Sequence, residues 1–143
     1  MRAEAFVDTN ILVYAVEGTD GPKPRAAREL LRRPDLALSV QVLNEFYHVV
    51  TAPRRKQPLT HAEALVWLVV WRKFPVQDLT LRVHEEGVLD RDRYQIGIYD
   101  AMIVAAARFL GCRTIFSEDL NDGQNYGGVV AVNPFAPRRS PKE

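Results

Sequence analysis

The chain has 143 residues, 47% of them hydrophobic and 26% charged, with a formal net charge of +1. Length and apolar fraction suit one domain with its own core, and the near-zero charge excludes a whole-molecule field that would draw in a polyanion; such a partner needs a local basic patch. The single cysteine, Cys112, excludes an intramolecular disulfide and fits a reducing compartment. Met1 to Asp8 lacks the basic and long apolar regions of a signal peptide. The longest apolar run, Ala64 to Trp71, is too short to span a bilayer. A cytoplasmic protein with no membrane contact is expected.

Ala5 to Val7 reads as a short buried strand, and Ile11 to Val16 as a helix capped by Thr9 or Asn10. Gly18 to Pro24 is a loop. Arg25 to Arg33 is helical and stops at Pro34. Leu36 to Val40 is a strand, and Val42 to Thr51 a helix with Val42, Phe46, Val49 and Val50 on one face. Pro53 to Pro58 is a basic loop, and Thr60 with Glu63 forms a capping box for a helix to about Lys73. Phe74 to Leu79 is a strand, and Thr80 opens a helix through Leu89. Asp90 to Gly97 reads as a charged break. Asp100 opens the nearly all-apolar helix "AMIVAAARFL", ended at Gly111. Arg113 to Phe116 is a strand, Ser117 to Gly128 a loop, and Val129 to Val132 the last strand. Ala136 to Glu143 is a polar, frayed tail. Strands alternating with helices predict an α/β fold with a largely parallel sheet of four to five short strands between helical layers.

In such a sheet, ligands bind beyond the C-terminal ends of the strands. Asp8 and Asp119 follow strands, Asp100 starts a buried helix, and Glu45 lies on the first turns of another. Each alone has an ordinary explanation: Asp8 and Asp100 as helix caps, Glu45 as an acid favouring the helix dipole, Asp119 as an Asx-turn. Together they converge on one edge. Carboxylates about 4 Å apart repel by roughly 4 kcal/mol per pair at an effective dielectric near 20. They ionise at neutral pH only beside a compensating cation. Hard oxygen ligands favour Mg²⁺ or Mn²⁺, which polarise phosphate oxygens and prepare a water for attack.

The segments "FVDTNILVYA", "SVQVLNEFYHVV", "IYDAMIVAAARFLGC", "TIFSEDLNDGQ" and "VVAVNPF" resemble the PIN-domain family in its VapC toxin form. The resemblance runs from Phe6 to Phe135. It implies a single three-layer α/β/α PIN-like nuclease domain over residues 1–135, with 136–143 as a mobile tail. It further implies a metal-dependent endoribonuclease that cleaves RNA, such as tRNA, through a metal-activated water. The family's acidic quartet maps onto Asp8, Glu45, Asp100 and Asp119 as metal ligands and catalytic groups. Thr9, Asn10 and Ser117 match its supporting positions: Asn10 is expected to hold Asp8, and Ser117 to touch phosphate or water. Glu118 reads as a bystander or an outer acid. Asn121 stands where many PIN domains carry another Asp. A homodimer and a VapB-type antitoxin are the implied partners.

Other residues carry weaker signals. Glu45 and His48 have Glu-x-x-His spacing, but a di-iron site needs a second copy. His61 and His84 have no spaced partners. Arg54, Arg55 and Lys56 form either a solvated loop or a phosphate contact, and Arg91 and Arg93 either touch RNA or pair with nearby acids. Trp67 and Trp71 serve either the core or an association surface. Cys112 is expected to be buried and inert. Two rival functions remain: a PIN-like module that binds RNA or a partner without cleavage, and a HAD-type phosphohydrolase. The latter wants a second Asp two residues after the first, where Asn10 stands.

Overall fold

The computed structural model describes residues 3–137. Its elements are β1 (Ala5–Val7), α1 (Thr9–Ala15), α2 (Pro22–Leu30), β2 (Leu36–Ser39), α3 (Val40–Val50), α4 (His61–Trp71), β3 (Val76–Gln77), α5 (Leu81–Tyr94), α6 (Ile98–Phe109), β4 (Thr114–Phe116), β5 (Asn125–Tyr126) and β6 (Val129–Val132). They form one six-stranded sheet in the order β3-β2-β1-β4-β6-β5. All neighbours run parallel except β5 and β6. The basic tail residues Arg138, Arg139 and Lys142 lie outside the described residues.

β1 and β2 are apolar runs buried along their whole length, as a sheet covered on both faces requires. Their side chains meet Ile11, Leu12, Phe46, Ile103 and Ile115, all between 0% and 2% exposed. α6 is buried from Ala101 to Ala107. Its small side chains let α5 approach, with Gly87 directly against Met102. α6 lies across β2, β3, β4 and β6, while α1 packs on α2 and α3, and α3 on α4.

Several boundaries depart from the sequence reading. The sheet gains a strand, β5, from the expected 117–128 loop. Gly127 and Gly128 both have positive φ, +65° and +105°, and make the tight turn that folds β5 back antiparallel on β6. α2 begins at Pro22, because proline is tolerated in a helix's first turn. α5 runs through the expected charged break to Tyr94. Asp90 points inward onto Arg108, so the break is only apparent. Gln95, in the left-handed region at φ 54°, ends that helix. Trp71 is buried and Trp67 stacks on it at 5.3 Å, so the pair belongs to the core. The apolar surface of α4 is instead Leu65, Val66 and Val69. Cys112 is buried as expected. No helix among the described residues is long and apolar enough to cross a membrane.

Candidate metal centre

The strand order decides where the acids meet. From β1 the chain moves to β2 on one side, and β4 later joins β1 on the other. The C-terminal ends of β1 and β4 therefore flank the topological switch point, where α/β sheets open a crevice. Val7 pairs with Phe116 in register, so Asp8 and Ser117 leave the sheet side by side. The Asp8 N–H donates to Phe116 O at 3.0 Å, and the Ser117 N–H to Val132 O at 3.1 Å.

Asp8 is the N-cap of α1, contrary to the expectation that Thr9 or Asn10 takes that position. Its Oδ1 accepts the Thr9 N–H at 2.6 Å, and its Oδ2 accepts the Ser117 hydroxyl at 2.7 Å. Ser117 Oγ in turn accepts the Asp119 N–H at 3.1 Å. Fully buried, Ser117 joins the two acids. Asn10 also departs from expectation. Its Nδ2 donates to Asp119 Oδ2 at 3.2 Å, so it steadies Asp119 and not Asp8.

Asp100 arrives on α6, whose N-cap is Gly97, so Asp100 sits in the first turn and its carboxylate is not spent on capping. One carboxylate oxygen from each of Asp8, Asp100 and Asp119 lies within 4.8 Å of the other two. Glu45 stands outside this triad but close enough for Asp100 and Asp119 to repel it. Gln41, which the sequence reading passed over, donates one amide nitrogen to Glu45 Oε1 at 2.7 Å and to Tyr99 O at 2.9 Å. It is buried one turn before Glu45 on α3, and that i, i+4 spacing was its available signal.

The electrostatics are those of an anionic cluster short of positive charge. Burial pushes the Asp8 carboxyl from 3.8 up to about 7; the Ser117 and Thr9 hydrogen bonds pull it down, and Asp119 and Asp100 push it further up. Burial also raises Asp100, aided by Asp119. Glu45 is raised chiefly by burial, against the Gln41 hydrogen bond. Two buried oxygens beside these acids, Thr9 Oγ1 and Asn10 Oδ1, have no hydrogen-bond partner among the described residues. Converging carboxylates, raised pKa values and unsatisfied oxygens fit a hard divalent cation and its waters.

Glu118 turns away. Tyr14 OH donates to its Oε1 at 2.7 Å, and Lys23 pairs with its Oε2. Burial pushes this carboxyl up, but Lys23 and Tyr14 outweigh it and hold the group below its usual range. Asn121 is tied within its loop to Gln124 and to the Tyr126 hydroxyl. The basic residues do not join the acids. Arg55 and Lys56 line a surface cleft with Glu17, Gly18 and Glu63, and Arg54 is exposed nearby in sequence. Arg91 and Arg93 close the last turn of α5. Among the described residues neither forms an ion pair, and Arg93 lies over the Tyr94 ring at 5.3 Å.

This combination, a mostly parallel sheet with three carboxylates converging at its switch point, is a site that could hold a divalent cation. The PIN domain family profile matches residues 5–121, and the chain belongs to that family. PIN domains are typically nucleases. Solved structures of the same fold include a toxin–antitoxin complex from Klebsiella pneumoniae (22% identity, TM-score 0.70, 92% of this chain and 98% of that one). Another is VapC20 from Mycobacterium tuberculosis, a sarcin–ricin-loop-cleaving toxin (20%, TM-score 0.64, 81% and 90%). A third is DNA-bound VapBC from Salmonella typhimurium (18%, TM-score 0.66, 90% and 96%). No curated protein matches the chain in sequence.

Proposed function

We propose that this protein is a Mg²⁺- or Mn²⁺-dependent endoribonuclease and the toxin of a toxin–antitoxin pair. The observation that carries the reading is the convergence of Asp8, Asp100 and Asp119 within 4.8 Å at the switch point. The similarity to VapC20 and to the VapBC complexes supports RNA as substrate and a VapB-type antitoxin as partner. Exposed apolar residues on α4 and α5, among them Val66, Val69 and Leu89, support association with such a partner and with a second copy of the chain.

Asp8, Asp100 and Asp119 would hold the cation, with Glu45 reaching it directly or through water. A divalent cation bound there supplies Lewis acidity to the phosphodiester and lowers the pKa of a water. Ser117 and Thr9 fix both oxygens of Asp8, and Asn10 fixes one oxygen of Asp119. The carboxylates are thus oriented before the ion arrives, which limits reorganisation during the reaction. Glu45, half-buried and raised in pKa, is the group suited to take a proton from the attacking water. Arg54, Arg55, Lys56, Arg91 and Arg93 would meet the RNA backbone farther from the cut.

The engagement of both Asp8 oxygens disfavours a nucleophilic role for it, as does Asn10 two residues on. Antitoxin-free protein should cleave labelled RNA with Mn²⁺ or Mg²⁺ and not with EDTA. Asp8→Asn and Asp100→Asn should each lose at least about a hundredfold in rate, and full activity in either overturns the assignment. Failure to bind millimolar Mg²⁺ or Mn²⁺ in calorimetry would instead mark a module that binds without cutting.

A further inference from the structure

A cleft of about 520 Å³ opens beside the acids, between α3, the start of α5 and the first turn of α6. Its walls carry Asn44, Glu45, His48, Leu79, His84 and Tyr99. Glu45 lines the cleft and stands beside the three aspartates, near enough for Asp100 and Asp119 to repel it, so the cleft adjoins the acidic cluster. Tyr99 is the residue before Asp100, and its side chain is left 69% exposed. Among the described residues no other ring packs on Tyr99, though Tyr14, Tyr47 and Tyr94 each pair with a ring. Its backbone is nevertheless held, because Gln41 donates to Tyr99 O at 2.9 Å while also holding Glu45. One amide therefore sets the spacing between a site carboxylate and an open ring.

The lining has the character of a base pocket. It offers an aromatic face, an apolar edge at Leu79, two imidazoles and the Asn44 amide. Lys and Arg are absent from it, so it is ill suited to a phosphate. Protein sites for unpaired bases combine an aromatic platform with side chains that hydrogen-bond base edges.

We propose that this cleft is a subsite for one unpaired nucleobase of the RNA, stacked on Tyr99 and flanking the phosphodiester at the acidic cluster. The inference takes RNA as the ligand class from the nuclease reading, but it concerns binding and does not require cleavage. Base stacking gives the enzyme a preference for single-stranded segments, and His48, His84 and Asn44 give it a preference among bases.

The test is fluorescence anisotropy with a labelled single-stranded oligoribonucleotide of mixed sequence, at low salt in EDTA, so that no cleavage intervenes. Tyr99→Ala should weaken binding about tenfold, and Tyr99→Trp should bind as tightly as wild type with its indole emission quenched by the RNA. A duplex of the same sequence should not distinguish Tyr99→Ala from wild type. Equal binding of single strands by wild type and Tyr99→Ala, or no wild-type binding, overturns the proposal. So does a change from dimer to monomer in Tyr99→Ala by light scattering, since a second copy would then fill the cleft. Loss of binding in Tyr99→Ala with no cleavage by any metal-loaded form would retire the nuclease reading and leave the subsite standing. Metal-dependent wild-type cleavage with unchanged cut sites and KM in Tyr99→Ala would do the reverse.

Discussion

One oxygen of Asp8 caps α1 through the Thr9 N–H, and the other accepts the Ser117 hydroxyl. A buried carboxylate with only these partners keeps its proton to about pH 7. The metal-free native state therefore binds more protons than the unfolded chain between about pH 4 and 7. By linkage its stability falls as pH rises through that window, by up to the order of 4 kcal/mol from this group. Asp100 and Glu45, both raised, act in the same direction. Metal-free protein should melt at a lower temperature at pH 8 than at pH 5.5. Asp8→Asn should flatten that dependence, and a steeper one in the variant would contradict the burial argument. Mg²⁺ or Mn²⁺ must displace these protons, so either ion should raise the wild-type melting temperature far more at pH 8 than at pH 5.5. Ser117→Ala removes one acceptor and one donor that join Asp8 to Asp119. It should cost about 1–2 kcal/mol in denaturant unfolding and lower cleavage at least tenfold.

Between elements, Arg108 makes a polar connection of four hydrogen bonds. From α6 it makes two bonds to Asp90 on α5, at 3.0 and 3.3 Å. It also donates to Tyr126 O at 2.9 Å and Gly127 O at 3.2 Å, tying both helices to the β5–β6 turn. The φ of +65° at residue 127 favours glycine, and a Cβ there would come within 2.8 Å of Arg108 Nη2, so the end of that side chain would have to shift. Asp90 is only 5% exposed. Arg108→Met should therefore destabilise the fold by about 3–5 kcal/mol by leaving a buried charge alone. Adding Asp90→Asn should recover part of the loss. Equal stability of the single and double variants in urea unfolding would show that the pair does not act as a unit.

At the scale of the whole molecule, charge and apolar surface are segregated. The acids occupy one end of the sheet, while Leu65, Val66 and Val69 give α4 an open apolar side. If that side meets a partner, Val66→Glu with Val69→Glu should abolish association in light scattering while leaving metal binding intact. Unchanged association would move the interface elsewhere. The basic residues lie apart from the acids, so their contribution should be to the salt dependence of RNA affinity. Replacing Arg54, Arg55 and Lys56 together with Ala should flatten that dependence by up to roughly two units of slope for single-stranded RNA.

Local chemistry was enough to read the alternation of strands and helices, the capping box at Thr60, and the positions of the four acids relative to element ends. Those features depend on apolar periodicity and on hydrogen bonds between near neighbours, which a sequence displays directly. The order of the strands decided the rest. Only tertiary structure sets Val7 beside Phe116, and with it Asp8 on Ser117, Asn10 on Asp119 rather than on Asp8, and Glu118 away from the cluster on Lys23 and Tyr14. The charged run at Asp90 read as a break because its neutralising partner, Arg108, is eighteen residues away along the chain. Partners far apart in sequence leave no local period, and their pairing is settled when the sheet and its helices close on one another.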